Sequence, residues 1–165
     1  MPWEVTIVNY DGKPPRSYYV PTRPDPLPLG DSEGVIRRIS EALPELRWET
    51  EPPLPPDALG NLSPDARTAM SQPKVRAEYE SDEFFFEIYG FEEKPLKCLH
   101  CEFRGDGDPL PWLYRLCHPN RWSAVADCDG SFVEFGKNGA SRWRFFRYWA
   151  RFVTRRKREL QDGSN

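Results

Sequence analysis

The chain has 165 residues, of which 38% are hydrophobic, and a formal net charge of −3. This length suits one ordinary domain with a hydrophobic core and is short for two. The chain opens with MPWEVTIVNY, which has no basic start before an apolar run, and it has no stretch of about 18 apolar residues. We therefore expect neither a signal peptide nor a transmembrane helix, and we predict a cytoplasmic protein.

Charge and proline divide the chain unevenly. Residues 1–140 carry 15 basic and 24 acidic side chains, a net charge of −9, whereas residues 141–165 carry 8 basic and 2 acidic side chains, a net charge of +6. Of the 18 prolines, 13 lie between Pro14 and Pro73, and proline favours extended or turning chain. The sequence predicts one domain over residues 1–140 with proline-rich loops at about 11–30 and 51–64, followed by a basic segment.

Hydrophobic periodicity and capping residues predict the elements in chain order. A strand is expected at residues 3–10, and a helix at 31–43 after Asp31 or Ser32. A short helix follows Ser63. The remaining prediction is a strand pair at 84–89 and 96–104, a short helix at 110–117, and a hairpin at 122–135.

This order favours an α+β fold. We predict an antiparallel sheet of about four to five strands with helices packed on one face, and a ferredoxin-like order fits the succession of elements. A C-terminal amphipathic helix would follow the domain.

The stretch CLHCEFRGDGDPLPWLYRLCHPNRW, residues 98–122, contains three of the four cysteines and both histidines. Cys98, Cys101, Cys117 and Cys128 are four soft ligands, so zinc is the metal to consider. A zinc ribbon needs two tight cysteine pairs, and this chain has only Cys98 and Cys101. If residues 96–104 form a strand, those two thiols point to opposite faces. We therefore predict structural cysteines, no bound metal and no cofactor.

The acidic turn GDGD has a structural interpretation. Asp108 precedes Pro109, so its carboxylate can cap the following helix while proline occupies the first turn. The alternative is a small hydrolase or metal-dependent enzyme centred on Asp106, Asp108, His100 and the cysteines of residues 98–129. The chain has none of the common nucleotide-binding or hydrolase motifs. We predict no catalytic residues.

The segment SRWRFFRYWARFVTRRKREL, residues 141–160, is predicted to form an amphipathic helix with a short disordered end beyond it. Trp143, Phe146 and Trp149 fall on one helical face, whereas Arg144, Arg147, Arg151 and Arg155 follow another stripe. Three interpretations compete: packing of the aromatic face on the domain, binding to a membrane surface, and binding to nucleic acid. Packing is the ordinary one, and the acidic body disfavours nucleic acid. The candidate binding residues are Arg144, Arg147, Arg151, Arg155, Trp143 and Trp149.

Part of the chain resembles a known group of sequences. The segments MPWEVTIVN, LPLGDSEGVIRRISEALPELRW and EFRGDGDPLPWLYRLCHPNRWSAVADCDG resemble small, functionally uncharacterised bacterial proteins over about residues 1–135. The resemblance implies the α+β fold and no particular activity. Some immunity proteins of bacterial toxin systems are similarly small and acidic, which is an analogy of type.

The sequence thus predicts a non-enzymatic, protein-binding module of immunity-like or regulatory type. Its acidic body would attract a basic protein partner through long-range steering.

Overall fold

The structure is a computed structural model that describes residues 2–10, 13–136 and 143–148. These residues form seven strands: β1 (Trp3–Val8), β2 (Arg47–Glu51), β3 (Lys74–Glu80), β4 (Phe84–Tyr89), β5 (Cys98–Gly105), β6 (Ser123–Ala126) and β7 (Ser131–Phe132). They also form four helices: α1 (Ser32–Ala42), α2 (Pro56–Leu59), α3 (Pro64–Met70) and α4 (Leu110–Cys117). Residues 143–148 are helical as well. The rest of the predicted C-terminal helix lies outside the described residues.

All seven strands form one antiparallel sheet in the order β2-β3-β4-β5-β1-β6-β7. The α+β prediction is confirmed, but the expected four to five strands are too few. The two unpredicted strands are β2 and β3, whose sequences RWETE and KVRAEYE carry charged residues at every second position. A strand with one solvated face has this pattern, and the long proline-rich loops beside it concealed it.

The central part of the fold keeps the expected connectivity. Apart from the elements between α1 and β4, the chain order is β1, α1, β4, β5, α4 and β6, which is the β-α-β-β-α-β succession of ferredoxin-like units. Both predicted strand pairs are present, since β4 pairs with β5 and β6 pairs with β7. The segment that contains β2, α2, α3 and β3 is inserted between α1 and β4 and widens the sheet at the β4 edge.

The hydrophobic core lies between the sheet and the two longer helices. Alternate residues of the central strands point into it, and helices α1 and α4 contribute their buried apolar positions from the other side. The principal core residues are Trp3, Val5, Ile7, Phe84, Phe86, Ile88, Leu99, Cys101, Phe103, Val35, Ile39, Leu110, Leu113, Leu116 and Cys117. One face of the sheet is thus covered by helices.

Two of the predicted helix caps are confirmed by their hydrogen bonds. The Asp31 carboxylate accepts from the Gly34 backbone N–H at 2.8 Å, and the Ser63 hydroxyl accepts from the Ala66 N–H at 3.3 Å. The predicted Asp108 cap is one residue out of place: the N-cap of α4 is Pro109, which has no side-chain cap bond, and the Asp108 carboxylate accepts from the Leu110 N–H at 3.0 Å just before the helix. Each bond satisfies a donor that the first helical turn leaves without a partner inside the helix.

The first proline-rich loop is attached to the β6–β7 turn. The Tyr18 backbone N–H donates to the Gly130 carbonyl at 2.8 Å, and the Tyr19 hydroxyl donates to the Asp127 carbonyl at 2.7 Å. Gly130 has φ +67, and a Cβ there would lie 2.4 Å from the Tyr19 ring. Only glycine fits this position. The loop thereby covers the β1–β6–β7 end of the sheet face opposite the helices, where Tyr18 packs against the buried Val8 and Val125.

Candidate functional site

The candidate site is the sheet face opposite α1 and α4, here called the open face. Strand alternation places on it every second residue, beginning with Glu4 in β1, Arg47 in β2, Lys74 in β3, Phe85 in β4 and Cys98 in β5. Its carboxylates are Glu4, Glu49, Glu51, Glu78, Glu80, Glu87, Glu102 and Asp127, and its basic side chains are Arg47, Lys74, Arg76 and Arg104. The open face is therefore acidic.

Four of these carboxylates form a line across the strands, here called the glutamate row. Glu78 is paired with Glu87, Glu87 with Glu102, and Glu102 with Glu4, on the adjacent strands β3, β4, β5 and β1. Neighbouring strands lie about 4.8 Å apart. Like charges directly opposite each other on adjacent strands destabilise a sheet, so hydrophobic burial and strand pairing hold this row together despite its repulsion.

Arginines neutralise the row only in part. Arg47 contacts Glu78, and Arg104 contacts Glu102. Arg76 lies 3.7 Å from Glu87 and binds the neighbouring Glu49 at 2.9 Å. The side chains of Arg47 and Arg104 are 67% and 61% exposed, while those of Glu78 and Glu102 are 12% exposed. These arginines thus lie on the solvent side of the carboxylates, where water screens their charge.

The penalty on carboxylate charge is concentrated at Glu87, in the centre of the row. Burial raises the pKa of Glu87, the nearby Arg76 opposes this shift, and the charges of Glu102 and Glu78 add to it. The pKa of Tyr89 is also raised, by burial first and then by carboxylates that include Glu4, Glu102 and Glu87. The open face therefore presents a concentrated negative potential around Glu87.

A second set of polar residues, here called the Cys98–His100 cluster, lies beside the row. Thr6 is 6% exposed and donates from its hydroxyl to the Asp127 carboxylate at 2.8 Å. The Thr6 Oγ1 lies 3.3 Å from His100 Nδ1, and His100 Nε2 lies 4.0 Å from Cys98 Sγ. Because Thr6 uses its proton for Asp127, its oxygen can accept from Nδ1 in the tautomer that carries the proton there, while the Cys98 thiol donates its own proton to Glu93 Oε2.

The surroundings of Cys98 favour its neutral thiol over the nucleophilic thiolate. Burial, followed by the charge and the hydrogen bond of Glu93, raises the pKa of the Cys98 thiol to about 11. The Cys98 Sγ lies 3.7 Å from Glu93 Oε2. Since the thiolate is the reactive form, the cluster has the layout of a thiol–imidazole relay but holds its sulfur in the neutral state.

The other cysteines of the sequence prediction do not join this cluster. Cys101 points into the core on the opposite face from Cys98, as the strand pattern predicted, and Cys117 is buried on α4. Burial raises the pKa of Cys117 to about 12. Cys128 is exposed in the β6–β7 turn. Among the described residues, no group of three or more His, Cys, Asp or Glu side chains is placed to hold a metal ion.

The aspartates of the GDGD turn form contacts outside the Cys98–His100 cluster. Asp108 accepts from the Leu110 N–H at the start of α4, and Asp106 forms an ion pair with Arg147 at 2.6 Å. Of the residues in the enzyme hypothesis, Asp106 and Asp108 therefore lie outside the cluster, whereas His100 and Cys98 belong to it. The carboxylate that does reach His100, through Thr6, is Asp127.

The predicted binding residues of the C-terminal segment are only partly described. Trp143 is 6% exposed, and its ring lies 5.0 Å from that of Trp3. Arg144 is exposed, and Arg147 is half-buried. Trp149, Arg151 and Arg155 lie outside the described residues.

Sequence reasoning missed the glutamate row altogether. The signal was present in KVRAEYE and RWETE, where charged side chains alternate with uncharged ones. The row itself depends on the register between four strands, and that register cannot be obtained from any one segment.

Comparisons with protein-family models, with curated proteins and with solved structures find no match to this chain. Among the described residues, no helix is long and apolar enough to cross a membrane.

Proposed function

We propose that this protein is a non-enzymatic binding module whose open face binds a basic protein, in the way that an immunity protein binds its toxin. The observation that carries the proposal is the glutamate row, in which Glu78, Glu87, Glu102 and Glu4 face one another on adjacent strands. A fold gains no stability from that arrangement. A partner with lysines or arginines would relieve the repulsion.

The arginines on the open face suit exchange with such a partner. Arg47 and Arg104 are largely exposed on long side chains, and they cover carboxylates that are mostly buried. Basic side chains of a partner can replace them on Glu78 and Glu102, where exclusion of water strengthens each ion pair. The excess negative charge of the face also raises the association rate with a basic protein.

The experiment compares two double variants of equal charge change. Glu87→Gln/Glu102→Gln alters the open face, whereas Glu33→Gln/Glu41→Gln alters helix α1 in the opposite layer. Each protein captures partners from the source cell, and each captured protein is purified and titrated directly by calorimetry. We expect a basic partner that the wild type and the α1 variant bind alike, and that the open-face variant binds at least about tenfold more weakly.

A third variant determines the sign of the partner's charge. Arg47→Gln/Arg104→Gln frees two carboxylates, so it should strengthen the binding of a basic partner and weaken that of an acidic one. Binding should also fall as salt is added. A partner that binds all these variants equally would refute the proposal.

The second candidate function is a small thiol-dependent hydrolase. The Cys98–His100 cluster favours it, because Nε2 faces the thiol while Nδ1 connects through Thr6 to Asp127. The raised pKa of Cys98 opposes it. Hydrolysis of a thioester or activated ester that stops on Cys98→Ser and on His100→Gln would establish this activity instead.

A further inference from the structure

The helical residues 143–148 have two faces with different surroundings. Trp143 and Phe146 point to the domain, with their rings 5.0 Å and 6.1 Å from that of Trp3. Arg147 extends this inner face through its ion pair with Asp106. The segment is thereby attached to the start of β1 and to the turn after β5.

The outer face carries aromatic side chains in solvent. Phe145 and Tyr148 are 71% and 72% exposed, the highest values among the exposed large hydrophobic residues of the described chain. Arg144 is exposed beside them, and residues three and four apart share one helical face. Two neighbouring exposed aromatics on an otherwise packed segment are typical of an interaction surface.

The sequence of this segment indicates the kind of partner. Residues 141–158 contain eight basic and six aromatic side chains and no acidic one. A segment of this composition is complementary in charge to an anionic surface. Aromatic rings beside arginines are characteristic of the boundary between lipid headgroups and acyl chains. We propose that Arg144, Phe145 and Tyr148 form a docking surface for an anionic membrane.

The sheet keeps this docking surface away from the open face. Trp3 points into the helix layer, where it contacts Trp143, while the next residue, Glu4, points to the open face. The glutamate row and the aromatic segment therefore lie on opposite sides of the sheet. A membrane bound at Phe145 and Tyr148 would not face the row, so the acidic charge that repels anionic lipid is turned away from it.

The test uses the full chain and vesicles in a sedimentation assay. Vesicles of phosphatidylcholine with about one third phosphatidylserine are compared with vesicles of phosphatidylcholine alone. We expect binding to the anionic vesicles only, and a steep loss of binding with added salt. Phe145→Ala/Tyr148→Ala should weaken binding at least about tenfold, and Arg144→Gln about fivefold.

A matched control removes exposed hydrophobic groups from another part of the surface. Tyr114 and Leu54 are 44% and 42% exposed, so Tyr114→Ala/Leu54→Ala should bind vesicles like the wild type. Equal binding by the Phe145→Ala/Tyr148→Ala variant, or no binding by the wild type, would overturn the proposal. Binding to a single-stranded oligonucleotide in place of vesicles would also overturn it, in favour of nucleic acid.

Discussion

Glu87 of β4 and Glu102 of β5 lie directly opposite each other in the sheet, and each has another glutamate on its far side. The pKa of Glu87 is raised, because burial and its neighbours penalise its charge more than Arg76 compensates. The charge at the centre of the open face therefore lowers the free energy of unfolding, and substitution of Glu87 can measure this loss.

Glu87→Gln should increase the stability of the protein. A raised pKa means that the folded state binds the proton more tightly than the unfolded chain, so charged Glu87 destabilises the fold at neutral pH. We expect the free energy of unfolding in urea at pH 7 to rise by about 0.2–1 kcal/mol. The difference from the wild type should shrink as the pH falls through the raised pKa toward the ordinary value. A loss of stability at pH 7 would show that Arg76 dominates the site.

Cys98 should react slowly at neutral pH. Its pKa of about 11 predicts that alkylation by iodoacetamide accelerates about tenfold per pH unit over the neutral and mildly alkaline range. Glu93→Gln removes a neighbouring negative charge and should shift this profile to lower pH. The measurement is made in a Cys128→Ser background, since Cys101 and Cys117 are buried. A rate that is already at its plateau near pH 7 would instead favour the thiol-dependent hydrolase.

The reduced protein should contain no stoichiometric zinc. Cys98 and Cys101 point to opposite faces of β5, so one ion cannot bind both thiols without breaking the strand. Elemental analysis of protein purified without chelators measures this directly. About one zinc per chain, lost on Cys98→Ser, would contradict the prediction.

Asp108→Ala should remove a hydrogen bond at the start of α4. The carboxylate accepts from the Leu110 N–H at 3.0 Å, and loss of a side-chain acceptor at a helix start costs about 1 kcal/mol. Thermal or urea unfolding gives the value, with the exposed loop residue Asp82→Ala as the control that should change little. If Asp108→Ala leaves stability unchanged and abolishes an activity, the turn acts as a functional site.

Substitution of Trp143 and of Phe145 by alanine should change the free energy of unfolding by very different amounts. Trp143 is 6% exposed against Trp3, whereas Phe145 is 71% exposed. Trp143→Ala should lower the free energy of unfolding by about 3 kcal/mol, and Phe145→Ala should leave it nearly unchanged. Equal effects of the two substitutions would mean that the segment does not pack as described.

The elements that could be predicted from the sequence are those whose signals are local. The Asp31 cap, the strand at the aromatic run FFFEIY and the opposite facing of Cys98 and Cys101 each depend on neighbouring residues, and each is confirmed. The Cys98–His100 cluster could not be predicted from the sequence, because its contacts join residues that are far apart along the chain. Thr6 is 94 residues from His100 and 121 from Asp127, so only the pairing of β1 with β5 and β6 brings them together.

The charge of the protein is also distributed unequally between the two sides of the sheet. One side carries the glutamate row, and the other carries the arginines attached beside Trp3. The electric field of a charged surface orients a protein with such separated charge before the two come into contact. Near an anionic surface the arginine side is drawn inward and the acidic side is left facing the solvent. Approach would therefore be directional, and few collisions would present the wrong side.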